Sequence, residues 1–417
     1  MRFIRVPLYM ILYVLVFGVF AATAVAANPK AAQYVLTDTT ASIYVAEQVI
    51  KASDLGLPGS WSIEKKVLRG GRQDGVDVII VNNGRLTFTI VPTRGMAIWD
   101  VRCKSTRLGW DAPVTEIVHP KHVNLLLDDG LGWLHGFGAF LPRCGLGWFG
   151  NPGKDEVTGE SITLHGLIDY NPASYVAVSV DTLPPYAVKV KGVFYEERLF
   201  RPTLALVSEF STEPDSLKFT INDSIINKGG VDAECGMLYH FDYGYPFLGE
   251  GSRIVAPFAR ITPQSKGGFP ESTPEEIVAY REPRAGYKMQ VWLTKLNSDG
   301  TGMTKLLLKN REGNLGFSYT YSLQQIPYLT VWKNLVALED GYVTGIEPGT
   351  AYPNHRNIER KNGHYPPLKP GESRAFQITC ELAVTSDRVS EIEKEIQAIQ
   401  GGKETVYDKD WVKGISY

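Results

Sequence analysis

Three places in this 417-residue chain set a titratable side chain beside glycine or proline. They are LHG at 164–166, the stretch MLYHFDYGYP at 237–246 and GIEPG at 345–349. They supply His165, His240 with Asp242, and Glu347. Histidine and a desolvated glutamate both tune towards neutral pH, so these types suit proton transfer. If residues 237–246 form a strand, the period of two puts His240 and Asp242 on one face. Tyr239, Phe241 and Tyr243 then share the other. That pattern fits the wall of a polar cleft; it equally fits a structural His–Asp hydrogen bond on a solvated face. None of the three spacings is specific by itself.

Two arginines, Arg94 and Arg143, lie in glycine-containing motifs. A guanidinium fork can grip a vicinal diol, a carboxylate or a developing oxyanion. The other reading pairs each with a structural carboxylate such as Asp100. Trp133 and Tyr239 are candidate stacking platforms, with ordinary core burial the alternative for Trp133. His119, His122 and His135 match no zinc spacing and read as structural. His355 and His364 read as rim residues, and Asp223 as structural.

The elements that must position these groups are mostly strands. Residues 76–81 and 86–91 flank the turn signal NNG at 82–84, and 97–102 form a further strand. Alternation continues through 187–195, 203–210, 217–227, 253–261, 288–294, 305–309, 315–322, 328–335, 341–347 and 373–384. Short strands at this spacing predict a large antiparallel β-sandwich. Residues 41–53 have helical spacing and predict a short helix. Residues 390–400 carry Ile392, Ile396 and Ile399 on one helical face, with Asp387 or Ser390 as cap. Between them, residues 108–172 are rich in Gly, Trp, His and Pro, as ordered loops that build a site are.

Taken in order, the three loci resemble the galactose mutarotase-like superfamily. Further segments resemble an aldose-1-epimerase-like branch of it. These are PTRGMAIWDV at 92–101, GLGWL at 130–134, RCGL at 143–146, LYH at 238–240 with GYP at 244–246, IEP at 346–348 and PGE at 370–372. The resemblance spans about residues 75–385. It implies a supersandwich with a sugar cleft, Glu347 as general base, His240 as general acid and His165 as a second imidazole on the sugar. Arg94, Arg143, Trp133, Tyr239 and Asp242 are then substrate-binding candidates. That reaction needs no cofactor. The long Gly/Trp region and the arginine motifs depart from simple mutarotases. They leave open a metal-assisted lyase or hydrolase acting on keto glycosides or uronides, with His165, His240 and Glu347 holding a divalent metal. A non-catalytic sugar-binding protein is the third reading.

Composition narrows the partners. The formal net charge is −2 and no basic block occurs, which argues against nucleic acid and anionic membrane surfaces. The 21 Tyr and 8 Trp suit a mono- or oligosaccharide ligand. The chain opens with MRFIR, an apolar run over 6–20 and AVA at 24–26, the pattern of a secretory signal peptide. The expectation is cleavage near residue 26, export to the periplasm or beyond, and no stable membrane insertion afterwards; an uncleaved anchor is the alternative. The expected organisation is a signal peptide at 1–26, a helical or extended segment at 27–60, the β-sandwich at 61–386, and a helix and tail at 387–417. The four cysteines could be buried thiols or form one or two disulfides.

Overall fold

A computed structural model describes residues 31–269, 272–413 and 415; the expected signal peptide lies outside them. Three main sheets, of ten, eight and six strands and almost wholly antiparallel, form the body of the protein. The ten-stranded sheet is built around Lys218–Asn227, flanked by Leu204–Thr212 and Ser373–Ala383. Its alternation is clean: Phe219, Ile221, Asp223 and Ile225 point inward while their neighbours stay partly exposed. The eight-stranded sheet carries Gly236–Tyr239, Val343–Gly349 and Tyr328–Asn334 side by side, with Phe241–Gly244 also paired to Val343–Gly349. The six-stranded sheet runs from Gln48–Lys51 to Thr106–Leu108.

Aromatic packing between the ten- and eight-stranded sheets fixes which face of the 241–244 strand is which. Phe241 stacks on Tyr319 with ring centroids 4.3 Å apart, and Tyr243 packs against Phe317. Asp242 faces the other way. The period-two reading therefore holds even though His240 interrupts the strand.

Several expectations need correction. Residues 41–53 form no α-helix: they give Ile43–Tyr44, Gln48–Lys51 and a 3-10 turn at Ala52–Leu55. Their β-branched residues serve a strand as well as a helix face, and pairing with Ser62–Val67 decides. Residues before Trp61 thus belong to the sheets, since Ala31–Asp38 also joins the ten-stranded one. The 253–261 stretch splits into Arg253–Val255 and Phe258–Pro263, which enter different sheets. Tyr175–Asp181 is a further strand, outside the expected set. The C-terminal helix is Ser386–Gln400, capped by Thr385, whose side chain accepts from the Arg388 amide. All four cysteines are buried and free. Among the described residues no helix is long and apolar enough to cross a membrane.

Candidate active site

The central strands bring the three titratable loci together. Asp242 lies opposite Gly345, and Glu347 lies two residues further along the same strand face. His240 lies between the two carboxylates. Its Nδ1 is 2.8 and 3.0 Å from the two Asp242 carboxyl oxygens. Its Nε2 is 3.2 Å from Glu347 Oε1. His165 closes the group, its ring edge-on to His240 with centroids 5.2 Å apart.

Glycines make this approach possible. A Cβ at Gly345 would lie 2.4 Å from Glu347 Oε1 and 3.1 Å from His240 Cε1. In the LHG turn, a Cβ at Gly166 would lie 2.2 Å from the Gly145 carbonyl oxygen. His165 itself has φ +57°, a conformation rarely held by a non-glycine residue. It is fixed there by its amide donating to Gly150 and its carbonyl accepting from Gly145.

Burial sets the electrostatics. His240 and Glu347 are 4 % and 2 % exposed. Desolvation pushes the Glu347 carboxyl up to about 7, with His240 opposing and Asp242 adding to the shift. The same burial drives His240 down, against the pull of Glu347 and Asp169. It drives His165 well down, helped by His240, and pushes the Asp242 carboxyl up. A neutral imidazole in contact with a carboxyl that titrates near 7 is a pair that can hold one proton on either partner.

The walls are aromatic. Trp133 is 5.0 Å from His165 and 6.0 Å from His240 between ring centroids; Phe137 and Trp332 lie 5.3 and 5.7 Å from His240. Phe137, Trp332 and Gly345 were not singled out from sequence. Gly345 stood in the quoted GIEPG run, but Trp332 becomes visible only through its register opposite Gly345.

The other candidates lie behind the site. Arg94 is 2 % exposed, pairs with Asp169 and donates to the carbonyls of Val118, Gly136 and Asp169. Arg143 donates to Asp223 at 2.8 Å and to the Met96 carbonyl. Both guanidiniums are thus engaged within the protein, with partners other than Asp100, which binds Arg102 and Arg107. Tyr239 is fully buried and its hydroxyl donates to Asp223, so it offers no stacking face. Asp242 contacts His240 and orients it. His135 binds Asp128, and His119 and His355 cap short helices.

His240 has one nitrogen against Asp242 and the other against Glu347. Among the described residues no group of three His, Cys, Asp or Glu side chains is disposed to hold a metal ion.

Comparison with known proteins places the fold. Among curated proteins no match is found. A crystal structure from Klebsiella pneumoniae subsp. pneumoniae, provisionally assigned as an aldose 1-epimerase, is 34% identical with TM-score 0.87; the match covers 91% of this chain and 98% of that one. A galactose mutarotase-like protein from Clostridium acetobutylicum shares the fold at 15% identity and TM-score 0.51, covering 77% and 97% of the two chains. Residues 73–382 match the family described as a domain of unknown function, DUF4432, and the chain belongs to that family, on the galactose mutarotase-like β-sandwich.

Proposed function

We propose that the protein is a carbohydrate-active enzyme of the aldose 1-epimerase type that needs no cofactor. The supporting observation is the contact chain Asp242–His240–Glu347, with a carboxyl that titrates at about 7 at its end. In an aldose the ring oxygen and the anomeric hydroxyl share one carbon. A base and an acid in contact with each other can therefore serve both oxygens at once. In the reacting form the shared proton sits on His240 Nε2 and Glu347 is the carboxylate: Glu347 takes the proton of the anomeric hydroxyl, and His240 gives its Nε2 proton to the ring oxygen. The bond from the anomeric carbon to the ring oxygen breaks as the carbonyl forms. Rotation of the carbonyl and reversal of both proton transfers gives the other anomer. Asp242 holds the Nδ1 proton of His240 and so fixes which nitrogen faces the sugar.

The substrate class is a mono- or oligosaccharide with a free anomeric centre. The reading that the enzyme acts outside the cytoplasm rests on the signal-like residues 1–26. The test is anomer exchange by NMR on a panel of aldoses with purified protein. Exchange above the spontaneous rate for at least one sugar, lost in Glu347→Gln, is expected. Unchanged rates across the panel refute the reading.

A further inference from the structure

Buried tryptophans normally find an acceptor for the indole N–H. In the region around the site, Trp148 donates to the Thr163 carbonyl at 2.8 Å and Trp110 to that of Ala139 at 3.3 Å. Trp133 differs. It is 1 % exposed, and its Nε1 is buried with no partner in the protein. Trp61 shares that property, but it belongs to the main hydrophobic core, whereas Trp133 belongs to a smaller buried cluster beside the site. Trp133 instead touches both imidazoles of the site. Next to it, the Nδ1 of His165 is buried and unpartnered as well. A buried donor left without an acceptor costs about 1–3 kcal/mol. Two buried, unpartnered nitrogens on adjoining rings, beside the proposed acid and base, point to a ligand that supplies the missing partner.

The ring is also held rigidly. Its backbone carbonyl accepts the Tyr170 hydroxyl, and Tyr170 lies under the Arg94 guanidinium, 4.1 Å from ring centroid to cation. Gly132 and Gly136 wedge the segment: a Cβ there would fall 2.0 Å from the Asn124 carbonyl oxygen and 2.6 Å from the Tyr170 hydroxyl. Phe137, His165 and Tyr170 pack around the indole at centroid distances of 4.6, 5.0 and 6.5 Å. A side chain so enclosed has little face left for a sugar to stack on. What it offers is a single fixed donor.

We propose that Trp133 is a specificity residue whose indole N–H donates to one ring hydroxyl of the bound sugar. A hydroxyl both accepts and donates, so the same group meets the donor of Trp133 and the free nitrogen of His165. This rests on the epimerase reading for the site but concerns recognition, not proton transfer. A pocket built to bond a hydroxyl discriminates strongly against the analogue that lacks it.

The experiment compares wild type with Trp133→Phe, which keeps an aromatic ring and removes the N–H. The probes are D-glucose, D-galactose and their monodeoxy derivatives, with affinity by calorimetry and kcat/KM by NMR exchange. The expected result is a loss of ~10-fold or more in affinity for the parent sugar, carried mainly by KM. The loss vanishes with the one monodeoxy derivative that lacks the bonded hydroxyl. Equal loss with every derivative, or no loss, overturns the proposal. Should the variant fail to fold, wild type labelled with 15N in its indoles gives the answer. The Trp133 N–H signal shifts downfield with the parent sugar and not with that derivative; an unmoved signal overturns the proposal. The two readings fail separately. Hydroxyl-selective binding without turnover removes the epimerase and leaves Trp133 as the reader. Turnover with a uniform Trp133→Phe loss does the reverse. Absence of binding to any sugar removes both.

Discussion

Glu347 Oε1 and His240 Nε2 lie 3.2 Å apart with both side chains buried, so the two groups titrate as a pair. The proposed reaction needs one proton on that pair. Glu347 is raised to about 7 and His240 is lowered, so the shared proton leaves as pH rises through about 7. Asp242 and Asp169 act on the same pair, and His165 lies against His240. The expected kcat/KM for anomer exchange is highest below about 7 and falls above it. It falls again in acid, when the pair takes up a second proton. A profile flat from pH 5 to 9 would sink the shared-proton mechanism.

Removing either member should cost far more than disturbing its orientation. His240→Ala and Glu347→Gln are each expected to lower kcat by about 10²–10⁴-fold. Asp242→Asn keeps the volume but lets His240 take the other tautomer. It should lower kcat while leaving sugar affinity within a few-fold. Steady-state exchange and calorimetry on the three variants check this ordering.

Gly345→Ala tests the approach itself. The added methyl would lie 2.4 Å from Glu347 Oε1, so the carboxyl has to move off His240. Exchange activity is expected to fall by at least tenfold, on the scale seen for small displacements of catalytic groups. The strand ladder does not involve the side chain, so circular dichroism should stay unchanged. Retained activity would show that the contact is dispensable.

The raised Glu347 pKa also predicts how stability varies with pH. The folded state holds this proton more tightly than the unfolded state, whose carboxyl titrates near 4.5. The stabilisation is complete below that value and is lost as pH rises through about 7, an effect on the order of 3 kcal/mol. Glu347→Gln is neutral at every pH. Its Tm is expected to match wild type at pH 4 and to exceed it at pH 8. Equal Tm values at both pH values would place the carboxyl in a more solvated setting.

Arg143 and Asp223 form a buried ion pair, 1 % and 0 % exposed. Losing one partner strands the other charge. Arg143→Ala is expected to lower stability by about 3–5 kcal/mol by denaturant unfolding. Because the guanidinium is engaged behind the site, KM of the folded variant should stay near the wild-type value. A large KM change with unchanged stability would return Arg143 to the substrate.

The sequence showed faces better than it showed which face is wet. Alternation put His240 with Asp242 and Tyr239 with Phe241 correctly. Here, however, both faces of the central strands are buried, so alternation could not say that Tyr239 lies between sheets. Arg94 and Arg143 looked like ligand forks because their partners, Asp169 and Asp223, are 75 and 80 residues away. Proximity of that kind is set by strand register, not by local pattern. Residues 41–53 misled for a different reason: their apolar spacing fits both periods, and pairing with Ser62–Val67 settles it.

The Arg143–Asp223–Tyr239 bonds tie the strand that leads into His240 to the middle of the ten-stranded sheet. Backbone amides at 237–242 are therefore expected to exchange with solvent deuterium only through whole-molecule opening, as core strands do. A pocket anchored in the slowest-exchanging part of a protein is already shaped before its ligand arrives. Sugar should then enter in a single kinetic step, without a preceding rearrangement of the floor.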